Sequence, residues 1–193
     1  MNRGPELRSP RLLLRRWRES DCQPFAAMNA EPAVFGQLAG PMSREQSDAL
    51  ITRIEDGFGA HGFGLWAVEL ASTGAFLGFT GLSVPAFAAP FLPAVEVGWR
   101  LVPTAWGHGY ATEAARAALS YGAEIGLAEV VSFTAETNVR SRAVMRRLGM
   151  TTDPAEDFDH PMLPVGHHLR RHVLYRLSAP HGPGAPPVAP RTT

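Results

Sequence analysis

The stretch Glu96-Val-Gly-Trp-Arg-Leu-Val-Pro-Thr-Ala-Trp-Gly-His-Gly-Tyr-Ala-Thr-Glu-Ala114 carries the densest chemistry of the chain. Gly107 and Gly109 bracket His108 just before a segment of helical periodicity, and glycines there let main-chain N–H groups approach a ligand closely. The first turn of a helix adds unpaired N–H groups and the positive end of the helix dipole, an arrangement that suits a pyrophosphate. Two glycines between a strand and a helix also serve tight packing alone, so the turn by itself leaves both readings standing. A Rossmann unit fits less well, because a meander of strands precedes the turn and Thr112 stands where a third glycine is wanted.

Other reactive types lie on either side. Glu96 sits on the strand leading into the turn, either as a proton acceptor or as half of an edge ion pair with Arg100. Asn138 and Ser141 open a second helix, where Asn is a favoured cap and Ser is ordinary in the first turn. Asp157, Asp159 and His160, followed by His167, His168 and His172, are rich in metal-ligating types. On one strand, however, His168 and His172 are two alternations apart, roughly 13 Å, too far to share an ion without bending, so no metal is expected. The single Cys22 excludes an internal disulfide and Cys-rich zinc sites, and its place in an early helix argues against a covalent cysteine intermediate.

The elements that must position these groups follow from pattern. The 193 residues allow one domain with a sizeable core, expected over residues 1–178, with the Pro-, Gly- and Ala-rich stretch 179–193 expected to be a disordered tail. Eighteen arginines, no lysine and 18 acidic residues give zero formal charge, so no global field would hold the chain on DNA, RNA or an anionic bilayer. The only uninterrupted apolar run near the start, Leu12 to Leu14, is too short for a signal core or a membrane span, and a cytoplasmic, reducing setting is expected. Strands are expected near residues 11–17, 65–70, 76–84, 95–102, 130–134 and 171–177. Helices are expected near 20–28, near 43–60 with a Ser43/Gln46 capping box, after Gly109, and from Asn138 to Gly149. This order is α/β (α+β), a mixed, mostly antiparallel sheet flanked by helices.

EVGWRLVP followed by WGHGYATEA closely resembles the acetyl-CoA-binding signature of the GNAT superfamily of N-acetyltransferases, particularly its RimJ/RimL-type branch. TAETNVRSRAVMRRLGM resembles the next block of that family, and the resemblance spans roughly Leu7 to Ser178. It implies a twisted GNAT sheet and acetyl-CoA as co-substrate. It also implies direct acetyl transfer to a primary amine, on a small molecule or at a protein N-terminus, by a monomer or homodimer. The phosphate loop falls on Trp106, Gly107, His108, Gly109, Tyr110 and Ala111, with Thr112 behind it. Trp106 replaces the Arg or Gln of the broad superfamily and cannot pair with phosphate. Gly98, Trp99, Arg100, Leu101 and Val102 would offer backbone groups to pantetheine, with one N–H between Gly98 and Leu101 facing the thioester oxygen.

Glu96 matches the family's acidic position and is implied as a water-mediated general base. With an ordinary carboxyl in that role, Glu96→Gln is expected to slow turnover most at low pH. The family's general-acid tyrosine falls on Met145, which cannot donate a proton, leaving Ser141 or water at the departing sulfur. Asn138 is implied in pantetheine contact, Arg142 at the 3′-phosphate, and Asp157, Asp159 and His160 in the acceptor pocket. Two other classes stay open: a GNAT-like domain that binds acyl-CoA as a sensor or scaffold without turnover, and an RNA- or ribosome-binding module resting on Arg140, Arg142, Arg146 and Arg147.

Overall fold

The computed structural model describes residues 5–178, so the expected tail lies outside the described residues. Eight strands form one sheet: β1 (Leu7–Arg8), β2 (Leu12–Arg15), β3 (Leu65–Leu70), β4 (Ala75–Ser83), β5 (Glu96–Leu101), β6 (Glu129–Ala135), β7 (Phe158–Asp159) and β8 (Arg171–Ser178). Their order is β1-β2-β3-β4-β5-β6-β8-β7, and only the β5/β6 pair is parallel. The helices are α1 (Cys22–Asn29), α2 (Pro32–Phe35), α3 (Arg44–His61), α4 (Tyr110–Glu124) and α5 (Val139–Arg147). The mixed, mostly antiparallel architecture read from the sequence is the one observed. The short β1, α2 and β7 are additions, each too brief to show a period.

Alternation along the strands divides the core between two faces of the sheet. Val97 and Leu101 of β5 join Leu12, Leu14, Trp66, Val68 and Leu82 against Ala114, Ala115 and Ala118 of α4, whose small side chains let the helix lie close. The opposite face packs Phe25 and Met28 of α1, Val34 of α2 and Phe79 of β4 together. Ser43 caps α3 with the expected reciprocal pair: its hydroxyl accepts from Gln46 N at 3.2 Å, and Gln46 Oε1 accepts from Ser43 N at 2.7 Å. Arg15, 3% exposed, ties β2 to the chain entering α1 through Asp21 at 2.7 and 2.9 Å and to β3 through Glu69 at 2.7 Å. A guanidinium so enclosed is tolerable because both carboxylates pair with it.

The feature that matters for the site is a seam. β5 pairs with β4 without interruption from Gly78↔Leu101 to Ser83↔Glu96, and β6 pairs with β8 from Glu129↔Ser178 to Ala135↔His172. Between them, β5 and β6 share a single register pair, Glu96↔Val131, closed by Val131 N donating to Val95 O at 2.8 Å. Past that point the strands part, and a wedge opens toward their C-terminal ends.

The β4 side of the seam is fixed by a close backbone approach. Gly78 has φ +127°, and a Cβ there would stand 2.1 Å from Arg100 O and 2.8 Å from Leu101 Cα, both main-chain atoms of β5. Gly78→Ala is therefore expected to destabilise the fold by about 2–4 kcal/mol through backbone strain and forced separation of β4 and β5. Urea denaturation checks this, and an unshifted midpoint would show that the sheet absorbs the extra methyl elsewhere.

Candidate active site

The wedge opens into a cleft of about 2200 Å³, walled by β5 and β6 and roofed by the starts of α4 and α5. On the α4 side lies the glycine turn. Gly107 and Gly109 both have φ +81°, a left-handed conformation that glycine adopts without strain. A Cβ at Gly107 would meet no protein atom within 4 Å, so the space in front of the turn is open. Gly109 caps α4 without any side chain covering the N–H groups of the first turn. The one acid there, Glu113, is already engaged: it accepts from Ser9 Oγ at 2.7 Å and Arg11 N at 2.9 Å, and pairs with the Arg11 guanidinium at 2.6 Å. Those contacts hold its carboxyl below the usual range and leave the positive helix end for an anion.

Trp106 has a part the sequence did not show. Its indole N–H donates to Leu101 O at 2.9 Å, locking the turn to the end of β5, and the Arg140 guanidinium lies 4.5 Å over its ring. The residue that cannot pair with phosphate thus carries one that can. Arg8, Arg11, Arg116, Arg140 and Arg147 all line this end of the cleft.

Register settles which backbone groups of β5 face the wedge. Val131 N donates to Val95 O on the β6 side, while Val102 N donates to Leu77 O and Thr80 Oγ1 to Gly98 O on the β4 side. Successive residues alternate, so the N–H groups of Trp99 and Leu101 point into the opening and those of Gly98 and Arg100 point into the sheet.

Side chains alternate across the sheet instead, and Glu96, Gly98 and Arg100 share the face toward α1. Burial pushes the Glu96 carboxyl up to about 8, against a modest opposing effect of the Ser83 hydroxyl at 3.4 Å. The ion pair with Arg100 weighed from sequence does not form. Arg100 turns to Asn29 of α1, donating from Nη1 to Oδ1 at 2.7 Å.

At the start of α5, Asn138 Oδ1 accepts from Ser141 N at 3.2 Å, and Nδ2 donates to Thr134 Oγ1 at 3.0 Å and Ser141 Oγ at 3.1 Å. The amide is spent on the cap and on aiming Ser141, whose hydroxyl accepts one bond and keeps its own proton to give. Both residues line the cleft.

Opposite Glu96 stands an aromatic wall that the sequence reading only half anticipated. His160 lines the cleft with Phe133 and His172, the two imidazoles 4.8 Å apart between centroids. Burial lowers both below the ordinary histidine range, so they are uncharged near neutrality. The His168–His172 spacing was a poor guide, since His168 lies in the turn before β8. The Phe158↔His172 pairing of β7 with β8 brings His172 beside His160 instead. Among the described residues, no group of three His, Cys, Asp or Glu is placed to hold a metal ion. Also among them, no helix is long and apolar enough to cross a membrane.

With this geometry in view, comparison with known proteins is decisive for the family. The model of the acetyltransferase (GNAT) domain matches residues 11–151. The chain belongs to the GNAT acetyltransferase family. It is 43% identical over 95 residues to the FsC-acetyl coenzyme A-N(2)-transacetylase of Aspergillus fumigatus, a match covering 47% of this chain and 40% of that protein's length. An acetyltransferase structure from Agrobacterium tumefaciens str. C58 superposes with TM-score 0.73 at 28% identity, covering 91% of this chain and 95% of that one. The fold is shared as well with RimL, a ribosomal L7/L12 alpha-N-protein acetyltransferase solved with coenzyme A, at TM-score 0.71 and 19% identity, over 90% and 98% of the two chains.

Against the GNAT pattern, Gly98, Trp99, Arg100, Leu101, Trp106, Gly107, His108, Gly109, Tyr110, Ala111 and Thr112 all meet at one cleft. Four expected contacts need correction. Val102 is held by Leu77 O and packs into the core on both sides of the sheet, outside the cleft. Arg142 folds back to donate to Glu136 O at 2.9 Å, and Arg116, Arg140 and Arg147 line the cleft in its place. Met145, read from sequence as unable to donate a proton, is 1% exposed and part of the core. Asp159 pairs with Arg170 at 3.1 Å, and neither it nor Asp157 reaches the cleft wall. On the arginine-bearing helix, Arg140 and Arg147 line the cleft while remaining exposed, and Arg142 is drawn to Glu136 O. Asn138→Ala is expected to cost about 1–2 kcal/mol by uncapping α5 and releasing Ser141, with Asn138→Asp recovering much of that stability. Denaturation of both variants tests the cap, and equal stability of Ala and wild type would remove it.

Proposed function

We propose that this GNAT chain transfers an acetyl group from acetyl-CoA directly to a primary amine, with Glu96 as the proton acceptor. The observation that carries the reading is the parted β5/β6 seam, which has an uncovered glycine turn at one end and a buried, unpaired carboxyl at the other. The residues fit the co-substrate. The open space before Gly107, the uncapped N–H groups of α4 and the cleft arginines Arg8, Arg11, Arg116, Arg140 and Arg147 suit a phosphorylated nucleotide, and the exposed edge of β5 suits an amide-bearing arm. When bound, acetyl-CoA supplies the acetyl group as a thioester.

The rest of the chemistry belongs to the chain. The attacking nitrogen must be neutral, yet at pH 7 an α-amine is only about a tenth neutral and a lysine amine well below ~0.1%. Glu96 collects that proton, directly or through one water, and an ammonium arriving beside it favours the carboxylate form by simple attraction. The N–H groups of Trp99 and Leu101 are fixed donors for the acyl oxygen. Ser141 gives its hydrogen bond to the departing sulfur, a role that Met145 cannot fill from the core. Cys22 does not line the cleft, and burial raises its thiol, which supports transfer without a covalent cysteine intermediate. The acceptor is an amine on a small molecule or at a protein N-terminus.

The raised carboxyl reverses the pH limb expected from an ordinary glutamate. Below about 8 the base form is the minor one, so its contribution grows as pH rises to that value and then levels. The ratio of wild-type to Glu96→Gln turnover is expected to climb about tenfold per pH unit below 8 and reach about 10²–10⁴, with coenzyme A affinity unchanged. Thiol release measured across an amine panel checks this. A ratio flat across pH would leave Glu96 structural, and coenzyme binding without release for any amine would favour the sensor reading. Gly109→Val places a branched side chain at φ +81° in the turn and is expected to lower coenzyme A affinity at least about 100-fold. Calorimetry decides, and unchanged affinity would detach the turn from the phosphates.

A further inference from the structure

Arg100 is a partly buried cation that the mechanism above does not use. It lies on β5 two alternations beyond Glu96, roughly 13 Å along the strand, with Gly98 between them on the same face. Its guanidinium lies 5.3 Å from the centroid of the Phe79 ring, Nη1 donates to Asn29 Oδ1 at 2.7 Å, and Met42 Sδ is 3.6 Å away. Asn29 is itself fully buried and fixed by donating to Ser47 Oγ at 3.1 Å. Among the described residues no carboxylate comes within 4.0 Å of Arg100, in contrast to Arg11, Arg15 and Arg176, each held by an acid at 2.6–2.7 Å. Nε and Nη2 have no protein hydrogen-bond partner, and neither is an enclosed atom, so both face the cleft that Arg100 lines.

The surroundings make this costly without a ligand. Val34, Leu38, Leu65 and Phe79 form the neighbouring wall, and burial pulls Arg100 down to about 10, far from the ordinary guanidinium range. Beyond the Asn29 contact and the Phe79 ring, such a charge gains most from a counter-charge, and two parallel N–H donors match a carboxylate. Glu96 does not serve, since it bonds to Ser83 and is itself held neutral.

We propose that Arg100 binds a carboxylate of the acceptor, so that the substrate is a small primary amine bearing a carboxylate, its nitrogen directed to Glu96 and its anionic end to the guanidinium. This rests on the acetyl-transfer reading. A small molecule is favoured over a protein chain because the guanidinium lies at the inner wall against the buried Asn29 and not at the rim. The arrangement also explains why Glu96 and Arg100 sit on one strand face without pairing: the substrate supplies the opposite charge to each.

The test uses matched acceptors, α- and ω-amino acids of increasing length against their carboxamides, with thiol release from acetyl-CoA as readout. Wild type is expected to prefer the carboxylate partner of a pair by about 10- to 100-fold in kcat/KM, chiefly through KM. In Arg100→Met that ratio falls to about one, and Arg100→Lys recovers part of it. Equal use of acids and amides by wild type, or a ratio untouched in Arg100→Met, overturns the proposal. A carboxylate preference seen only in peptides with acidic N-terminal residues overturns the small-molecule assignment. Calorimetry of wild type with coenzyme A present, comparing N-acetylated amino acids with their amides, gives a readout independent of turnover. If no amine releases thiol, the transfer reading falls, and tighter binding of the acids still upholds the carboxylate site while equal binding removes it.

Discussion

The site exists because β5 is hydrogen-bonded to a neighbour along one edge and released along the other. A central strand normally has both edges satisfied, and leaving one open exposes N–H and C=O groups that water or a ligand must meet. Here the release is confined to the stretch beyond Glu96↔Val131, so the domain keeps a continuous sheet at the base of the wedge and an incomplete one at its mouth. On the β4 side, Gly78 brings two backbones closer than any side chain would allow. Everything chemical is hung on this seam: the glycine turn follows the open end of β5, and the cap of α5 follows the open end of β6.

Charge is distributed along the cleft to match a molecule with unlike ends. The turn end gathers arginines, and its one acid is withdrawn by Ser9 and Arg11 from the β1–β2 connection, so the helix dipole is not offset where an anion must sit. Away from the turn, Glu96, His160 and His172 are all shifted by burial toward their uncharged forms, while Arg100 keeps its charge. A net charge of zero over the whole chain conceals this local separation.

What the sequence reveals divides along the range of the interactions. The Ser43 capping box and the Asn138 cap depend on residues three apart, and both appear where the spacing places them. The glycine turn is legible for the same reason. His172, Ser83 and Asn29 reach the site through strand pairing or helix docking across tens of residues, and no local pattern announces them. Arg142 illustrates a subtler limit. Among four arginines, helical position decides which side chains line the cleft, and a backbone carbonyl in the turn before the helix claims the one that resemblance favoured. Trp106 was legible as a departure from pattern but not as a platform, since its meaning lies in Arg140 above it.

Glu96 and Arg100 present the strongest local conflict in the molecule, and its form is informative. Two groups of opposite charge on one strand face would ordinarily relieve each other's burial, yet one is held neutral and the other leans on an amide and an aromatic ring. The two lie four residues apart on the strand, Gly98 between them offers no side chain to bridge the gap, and the Asn29 that holds Arg100 is locked by Ser47. A fold selected for stability alone would have replaced either residue with an apolar one, because an unpaired buried charge is among the more expensive features a core can carry. Their separation as half-sites fits the proposal above, in which an amine unloads a proton on one side and an anion meets the fixed cation on the other.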